Sequence, residues 1–462
     1  MKTLENFTFD KNLLEICEHF LADKGTLIEA RSTSSSSIDR LEISLPNHFF
    51  EQPLRANLGN VQLPGYYFHL PEKGETHFGL GVVTRVEGPI SESCTRANRI
   101  LRDSAPGIHA FGGGRFDEIM PENSTPSTWE KFGVGCFLIP RLYILRGPEK
   151  CVASFQFTKK EDRKEQFEKF TKRLRDEVTW SLYIGDEPRP THQPDSAAWD
   201  ALVAAALKSI CSKENALEKI VLARETIFSQ PGKKALPDVL ESFWQTNSSC
   251  FHFAFRPRTA APLFVAATPE LLFVREQSRL RSEAIAGTCP RGNNPGENAT
   301  LAAKMLASDK ERREHASVIE SIRRNLTPLL TNAPEEEGPD VLRLSHLQHL
   351  RTKLSGRLRP EIDDAQILRA LHPTPATNGS PREAAMTWIR EHEGWDRGWY
   401  AGPMGLLSLD ESIFTVAIRS GLFDKDTARI FAGAGIVRGS ESDAEWQEVE
   451  SKAAGFLKHF DL

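Results

Sequence analysis

Cysteine is too sparse and too scattered to build a disulfide framework or a zinc site. The seven, Cys17, Cys94, Cys136, Cys151, Cys211, Cys250 and Cys289, are odd in number and never spaced CxxC, so reduced thiols in a cytoplasmic protein are expected. No uninterrupted apolar run approaches the roughly 20 residues of a membrane-spanning helix. The opening Met1-Lys-Thr-Leu-Glu-Asn-Phe7 lacks the apolar core of a signal peptide, so neither export nor membrane insertion is expected. Charge of one sign is also missing: 58 Lys and Arg stand against 63 Asp and Glu, net −5 with the signs mixed. That leaves no electrostatic footprint for nucleic acid or an anionic membrane. Internal repeats are absent as well. The 462 residues are 39% hydrophobic and 26% charged, as in a soluble globular protein with a large core, and they suffice for two domains or one large unit.

Texture divides the chain into residues 1–195 and 200–462. The first part predicts a helix over Asn12–Asp23 and a polar stretch over Ser32–Asp39. Short apolar runs follow at Tyr66–Leu70, Phe78–Val83, Cys136–Ile139 and Val152–Phe157, which read as strands of an antiparallel sheet. Asp186–Pro194, rich in proline and polar residues, reads as a connection. In the second part, strands are predicted at Ile220–Leu222, Phe251–Phe255, Leu263–Ala267, Leu271–Val274, Phe414–Ile418 and Ala428–Ala432. Ala316, Ile319, Ile322 and Leu326 mark a helix over Asp309–Leu326. A terminal helix over Asp443–His459, capped by Ser442 or Asp443, completes the pattern. The fold class expected is α+β with large antiparallel sheets.

Several polar residues stand out by their settings. Lys219 opens the apolar run Lys-Ile-Val-Leu-Ala-Arg224; it is either a solvated strand-end charge or a desolvated base, since burial beside other cations favours the neutral amine. Glu270, in a turn between two apolar runs, is either a surface carboxylate or a general acid kept protonated by burial. Glu314 follows Lys310 at helical spacing, and Glu445, Glu448 and Lys452 share a helix face, patterns that also suit solvated salt bridges. The alternative for the three glutamates is a Mg²⁺ site, because that ion takes hard oxygen ligands and keeps several waters. Arg419, after a strand-like run, could fork onto a carboxylate. Gly433-Ala434-Gly435 reads as a turn with accessible N–H groups, suited to a second carboxylate.

Taken together, these segments resemble the chorismate-utilising enzymes, and among them the isochorismate synthases. Leu371-His-Pro-Thr-Pro-Ala376 and Gly398-Trp-Tyr-Ala-Gly-Pro403 add to the likeness, as do His109-Ala-Phe-Gly-Gly113, Trp129–Phe132 and Phe137–Arg141 in the first part. The resemblance implies an anthranilate synthase component I-like fold, sheets central and helices outside, with the site in a cleft and residues 1–195 completing the unit of 200–462. It implies that Lys219 activates water and that Glu270 protonates the leaving hydroxyl on the opposite ring face. Mg²⁺ would be held by Glu314 and Glu448, with Glu445 acting through water. Arg419, Lys452 and Gly433–Gly435 would hold carboxylates, and Gly287, Thr288 and His349 would line the pocket. Asn378-Gly379 stands where the family often has a glycine pair, and in a turn Asn can adopt positive φ. Chorismate is the implied substrate, with a downstream enzyme drawing off isochorismate, and the extended N-terminal part favours the menaquinone type. Salicylate synthase, an aminochorismate-forming synthase and a catalytically silent chorismate-binding regulator remain alternatives.

Overall fold

Strands dominate the chain. The computed structural model describes residues 25–35, 37–46, 62–119, 128–176, 190–212, 217–229, 236–292, 294–344, 347–424 and 427–460, with Leu13, Ile16, Cys17 and Phe20. The helix expected over Asn12–Asp23 lies mostly outside these residues; those four are helical and buried. Two antiparallel sheets form, of 13 and 9 strands.

The larger sheet runs, in spatial order, Thr26–Ile28, Ile38–Leu45, Cys151–Thr158, Leu142–Arg146, Glu75–Leu80, Gly65–Leu70, Phe251–Arg256, Leu263–Thr268, Ser420–Phe423, Thr427–Val437, Lys219–Ser229 and Thr191–Gln193. Gly379–Ser380 pairs with the start of Lys219–Ser229. The smaller sheet runs Glu335–Arg343, Leu347–Arg357, Arg279–Pro290, Leu271–Glu276, Glu411–Val416, Pro403–Leu407, Ala110–Gly114, Gly135–Ile139 and Thr84–Glu87. Early and late segments pair in both sheets, His69 opposite His252 in one and Gly112 opposite Gly405 in the other.

The sheets pack through aromatic rings. Phe111 of the smaller sheet stacks on Tyr66 of the larger at 4.8 Å and meets Phe68, Phe253 and Phe255 at 5.2–6.5 Å, spacings at which rings attract edge to face or offset. A second core lies on the other face of the smaller sheet, where Leu280, Ala284 and Leu354 meet Val318, Ile322 and Leu326 of the Asp309–Leu326 helix. That helix has the bounds its apolar spacing predicts, and Ser308 Oγ caps it by accepting the Glu311 N–H. Among the described residues no helix is long and apolar enough to cross a membrane, and none of the cysteines forms a disulfide.

Several expectations need correction. The terminal helix spans Ser442–Leu457 and passes into a 3₁₀ turn, Lys458–Phe460; its N-cap is Glu441 without a side-chain cap, and Ser442 donates to Asp200 instead. The connection expected over Asp186–Pro194 lies outside the described residues up to 189, but Thr191–Gln193 adds an edge strand against Glu225–Ile227. Gly433-Ala434-Gly435 is not a turn: it lies inside the Thr427–Val437 strand, opposite Ala223, Leu222 and Val221. At Asn378-Gly379 only the glycine takes positive φ, at +129°. Buried Asn378 instead spends its amide on the Arg382 carbonyl.

Candidate active site

Two of the connections that carry the chain from one sheet to the other hold the proposed acid and one proposed cation. The first leaves Thr268 of the larger sheet and enters Leu271 of the smaller, with Glu270 between. The second leaves Val416 of the smaller sheet and enters Ser420 of the larger, with Arg419 between. They are stitched together: Val416 N–H donates to the Glu270 carbonyl at 3.0 Å, Thr268 Oγ1 to the Val416 carbonyl at 2.7 Å, and Ala267 N–H to the Arg419 carbonyl at 3.2 Å. Arg419 takes φ +49°, a left-handed conformation that an arginine rarely adopts and that functional sites often retain.

Lys219 is the first residue of its strand, between Ser380 and Val437. Gly435 makes room for it: a Cβ there would lie 2.7 Å from Lys219 Cε. The ammonium stands 3.9 Å from Glu314 Oε1. Burial lowers its pKa, opposed by Glu314 and assisted by Lys452. Glu270 shows the converse, its pKa raised by burial against the pull of Thr374, Lys219 and Lys452. Thr374 Oγ1 donates to Glu270 Oε1 at 3.0 Å. Beside it lies a cavity of about 20 Å³, touching Ser282, Asn325 and Thr374, room for roughly one water.

Glu314 projects from the Asp309–Leu326 helix, and Glu445 and Glu448 from the terminal helix. Glu445 is raised by burial, with Ser440 opposing and the charge of Glu448 adding to the rise. Lys452 pairs with Glu448 at 2.7 Å and donates to the Gly433 carbonyl at 2.8 Å. Among the described residues no three His, Cys, Asp or Glu side chains gather closely enough to hold a metal by themselves. A magnesium ion does not need that, since waters and a substrate anion complete its shell.

On the smaller sheet, Gly287 takes φ +76° at an irregularity where Thr288 faces His349. His349 Nδ1 lies 3.1 Å from Thr288 Oγ1, and burial brings its pKa down to about 4, helped by Arg419. It is therefore a neutral imidazole near pH 7. Arg419 bonds the Cys250 thiol. Sequence reasoning missed Glu311, whose Oε2 accepts the Thr288 N–H at 3.0 Å. Its position one helical turn before Glu314 was the available signal. It also passed over Thr374, although the residue lies within the His-Pro-Thr-Pro-Ala segment.

Comparison with known proteins agrees with this architecture. Residues 56–460 match the family described as chorismate binding enzyme. The chloroplastic isochorismate synthase of Catharanthus roseus is 34% identical over 403 residues, 83% of this chain and 68% of that protein. The solved structure of MenF, the menaquinone-specific isochorismate synthase from Escherichia coli, superposes with a TM-score of 0.82 at 30% identity, covering 97% of this chain and 100% of that one. Anthranilate synthase component I from Streptococcus pneumoniae TIGR4 shares the fold, with a TM-score of 0.69 at 19% identity over 84% of this chain and 92% of that one. Facing antiparallel sheets, paired crossovers and a match over most of the length lead to one conclusion: this chain belongs to the chorismate binding enzyme family.

Proposed function

We propose that the chain is an isochorismate synthase of the menaquinone-specific kind, converting chorismate to isochorismate. The observation that carries the reading is a lysine at the head of its strand, with room made by Gly435 and Glu314 at 3.9 Å, within electrostatic reach of a glutamate on the crossover between the sheets; burial favours the neutral form of both. Lys219 takes a proton from water as the oxygen attacks C2 of the substrate ring. Glu270 gives its proton to the hydroxyl leaving C4, and the ring double bonds shift. One water enters and one leaves, so substrate and product are isomers and no oxidant or ammonia is consumed. Arg419 offers its planar fork to one carboxylate, and Lys452 with the edge of Gly433–Gly435 lies ready for another. Neutral His349, with Gly287 and Thr288, supplies hydrogen-bonding surface without added charge.

The donor set fits Mg²⁺: three carboxylates on two helices, with Glu445 and Glu448 crowding each other. Glu314 and Glu448 would hold the ion directly and Glu445 through water. When bound, it would neutralise the ring carboxylate and strengthen its placement. A downstream enzyme consuming isochorismate would set the direction of flux. Product analysis tests the reading: purified protein with chorismate and Mg²⁺, without ammonia, should yield isochorismate. Salicylate with pyruvate, or an amino product formed only when ammonia is added, would overturn it.

A further inference from the structure

A hydrogen-bonded chain, buried at its Arg397–Glu393 end, connects the proposed acid to the strand that bears the proposed base. From Glu270 it passes to Thr374 Oγ1 at 3.0 Å, and from there to Thr377 Oγ1 at 3.2 Å. The Thr377 carbonyl accepts from Arg397 Nη1 at 2.9 Å. The same guanidinium donates through Nη2 to the Val221 carbonyl at 2.7 Å and forks onto Glu393 with two bonds of 2.6 Å. Glu393 accepts the Ala223 N–H at 2.8 Å. Val221 and Ala223 belong to the strand that Lys219 begins.

The strand needs this pair because its neighbour on that side is interrupted. Gly379–Ser380 covers Lys219 and Ile220, and Thr191–Gln193 covers Glu225–Ile227. Between them the Asn378 carbonyl takes the Val221 N–H at 2.9 Å. Arg397 and Glu393 take the Val221 carbonyl and the Ala223 N–H, groups that would otherwise be buried without partners. The third branch of the guanidinium, to the Thr377 carbonyl, ties the same strand to the Thr374–Thr377 loop. Arg397 is 4% and Glu393 5% exposed, too deep to touch substrate. Phe116 lies against the guanidinium at 4.4 Å. A lysine could not serve three directions from one plane.

We propose that Arg397, locked by Glu393, is a positioning residue that fixes the Thr374–Thr377 loop, and through Thr374 the acid Glu270, relative to the base-bearing strand. The proposal rests on the isochorismate synthase reading. Full-length Arg397→Met and Arg397→Lys should be checked for folding by near-ultraviolet circular dichroism, for chorismate affinity by calorimetry with Mg²⁺, and for turnover per folded molecule. Misplacing one reacting group relative to the other is expected to lower kcat about 10- to 100-fold, with chorismate Kd within about twofold of wild type. Arg397→Lys should restore folding better than turnover. Turnover per folded molecule within about twofold of wild type, or kcat and affinity falling together, would overturn the proposal. Should the Arg397 variants fail to fold, Thr374→Val cuts the chain at its last link and leaves the Arg397–Glu393 pair intact. Loss of kcat at wild-type affinity is expected from it, and normal turnover would overturn the proposal. Wild-type protein run alongside separates the two claims: no isochorismate there removes the functional reading and this proposal together, whereas wild-type turnover with unimpaired variants removes the proposal alone.

Discussion

Residue by residue, the candidate site joins a lysine and a glutamate whose pKa values burial moves in opposite directions, the amine's down and the carboxyl's up. Replacing Lys219 or Glu270 by alanine should remove most of kcat while chorismate still binds, and near-normal turnover in either variant would contradict its role. Glu270 also carries a stability signature. Its pKa lies above the ordinary 4.5, chiefly through burial, so the folded protein keeps a proton that the unfolded chain releases. Wild-type stability therefore falls as pH rises from the ordinary value through the raised one, then levels. Glu270→Gln does not titrate, so its melting temperature relative to wild type should climb across that window. A gap that stays flat or narrows would contradict the burial of this carboxyl. Gly435 tests the space around the base. Its missing Cβ would lie 2.7 Å from Lys219 Cε, and that carbon belongs to a flexible side chain. Gly435→Ala should consequently cost about 1–3 kcal/mol of stability at most but lower kcat about 10- to 100-fold by displacing the amine. Thermal melts and steady-state kinetics on one preparation would show whether activity falls further than stability.

Secondary-structure elements were legible where apolar spacing is regular. The Asp309–Leu326 helix keeps its predicted bounds, and every strand predicted from an apolar run exists, several with shifted ends. Phe414–Ile418 became Glu411–Val416 because the chain leaves the sheet there to cross to the other. The Gly433-Ala434-Gly435 error has a physical source, since glycine spacing alone cannot distinguish a turn from a strand that another group approaches closely. In this strand Gly433 abuts Leu222 O and Tyr400 Oη, and Gly435 abuts Lys219. The function expected of Glu314, Glu445 and Glu448 turns on two separate helices that both direct carboxylates toward Lys219, which helical spacing within either one cannot reveal. Glu448→Ala should raise the Mg²⁺ concentration needed for half-maximal activity, also freeing Lys452 from its 2.7 Å partner. An unchanged Mg²⁺ titration would count against Glu448 as a ligand.

At the scale of the molecule, the site depends on contacts between distant parts of the sequence. Pairings such as His69 with His252 and Gly112 with Gly405 leave no local trace, so strand order could not be read from residues alone. The same holds for the paired crossovers that bring Glu270 and Arg419 together, and for the Arg397–Glu393 pair beneath the Lys219 strand. Motif resemblance supplied the candidate residues, and the fold places Glu270 and Arg419 on neighbouring crossovers and Lys219 within 3.9 Å of Glu314. In the proposed reaction water, activated by Lys219, provides the incoming hydroxyl. The decisive measurement is turnover of chorismate by the Mg²⁺-loaded protein in ¹⁸O-labelled water, with the product resolved by chromatography and mass detection. Isochorismate carrying one ¹⁸O in its C2 hydroxyl is expected; isochorismate formed without label would rule out attack by water.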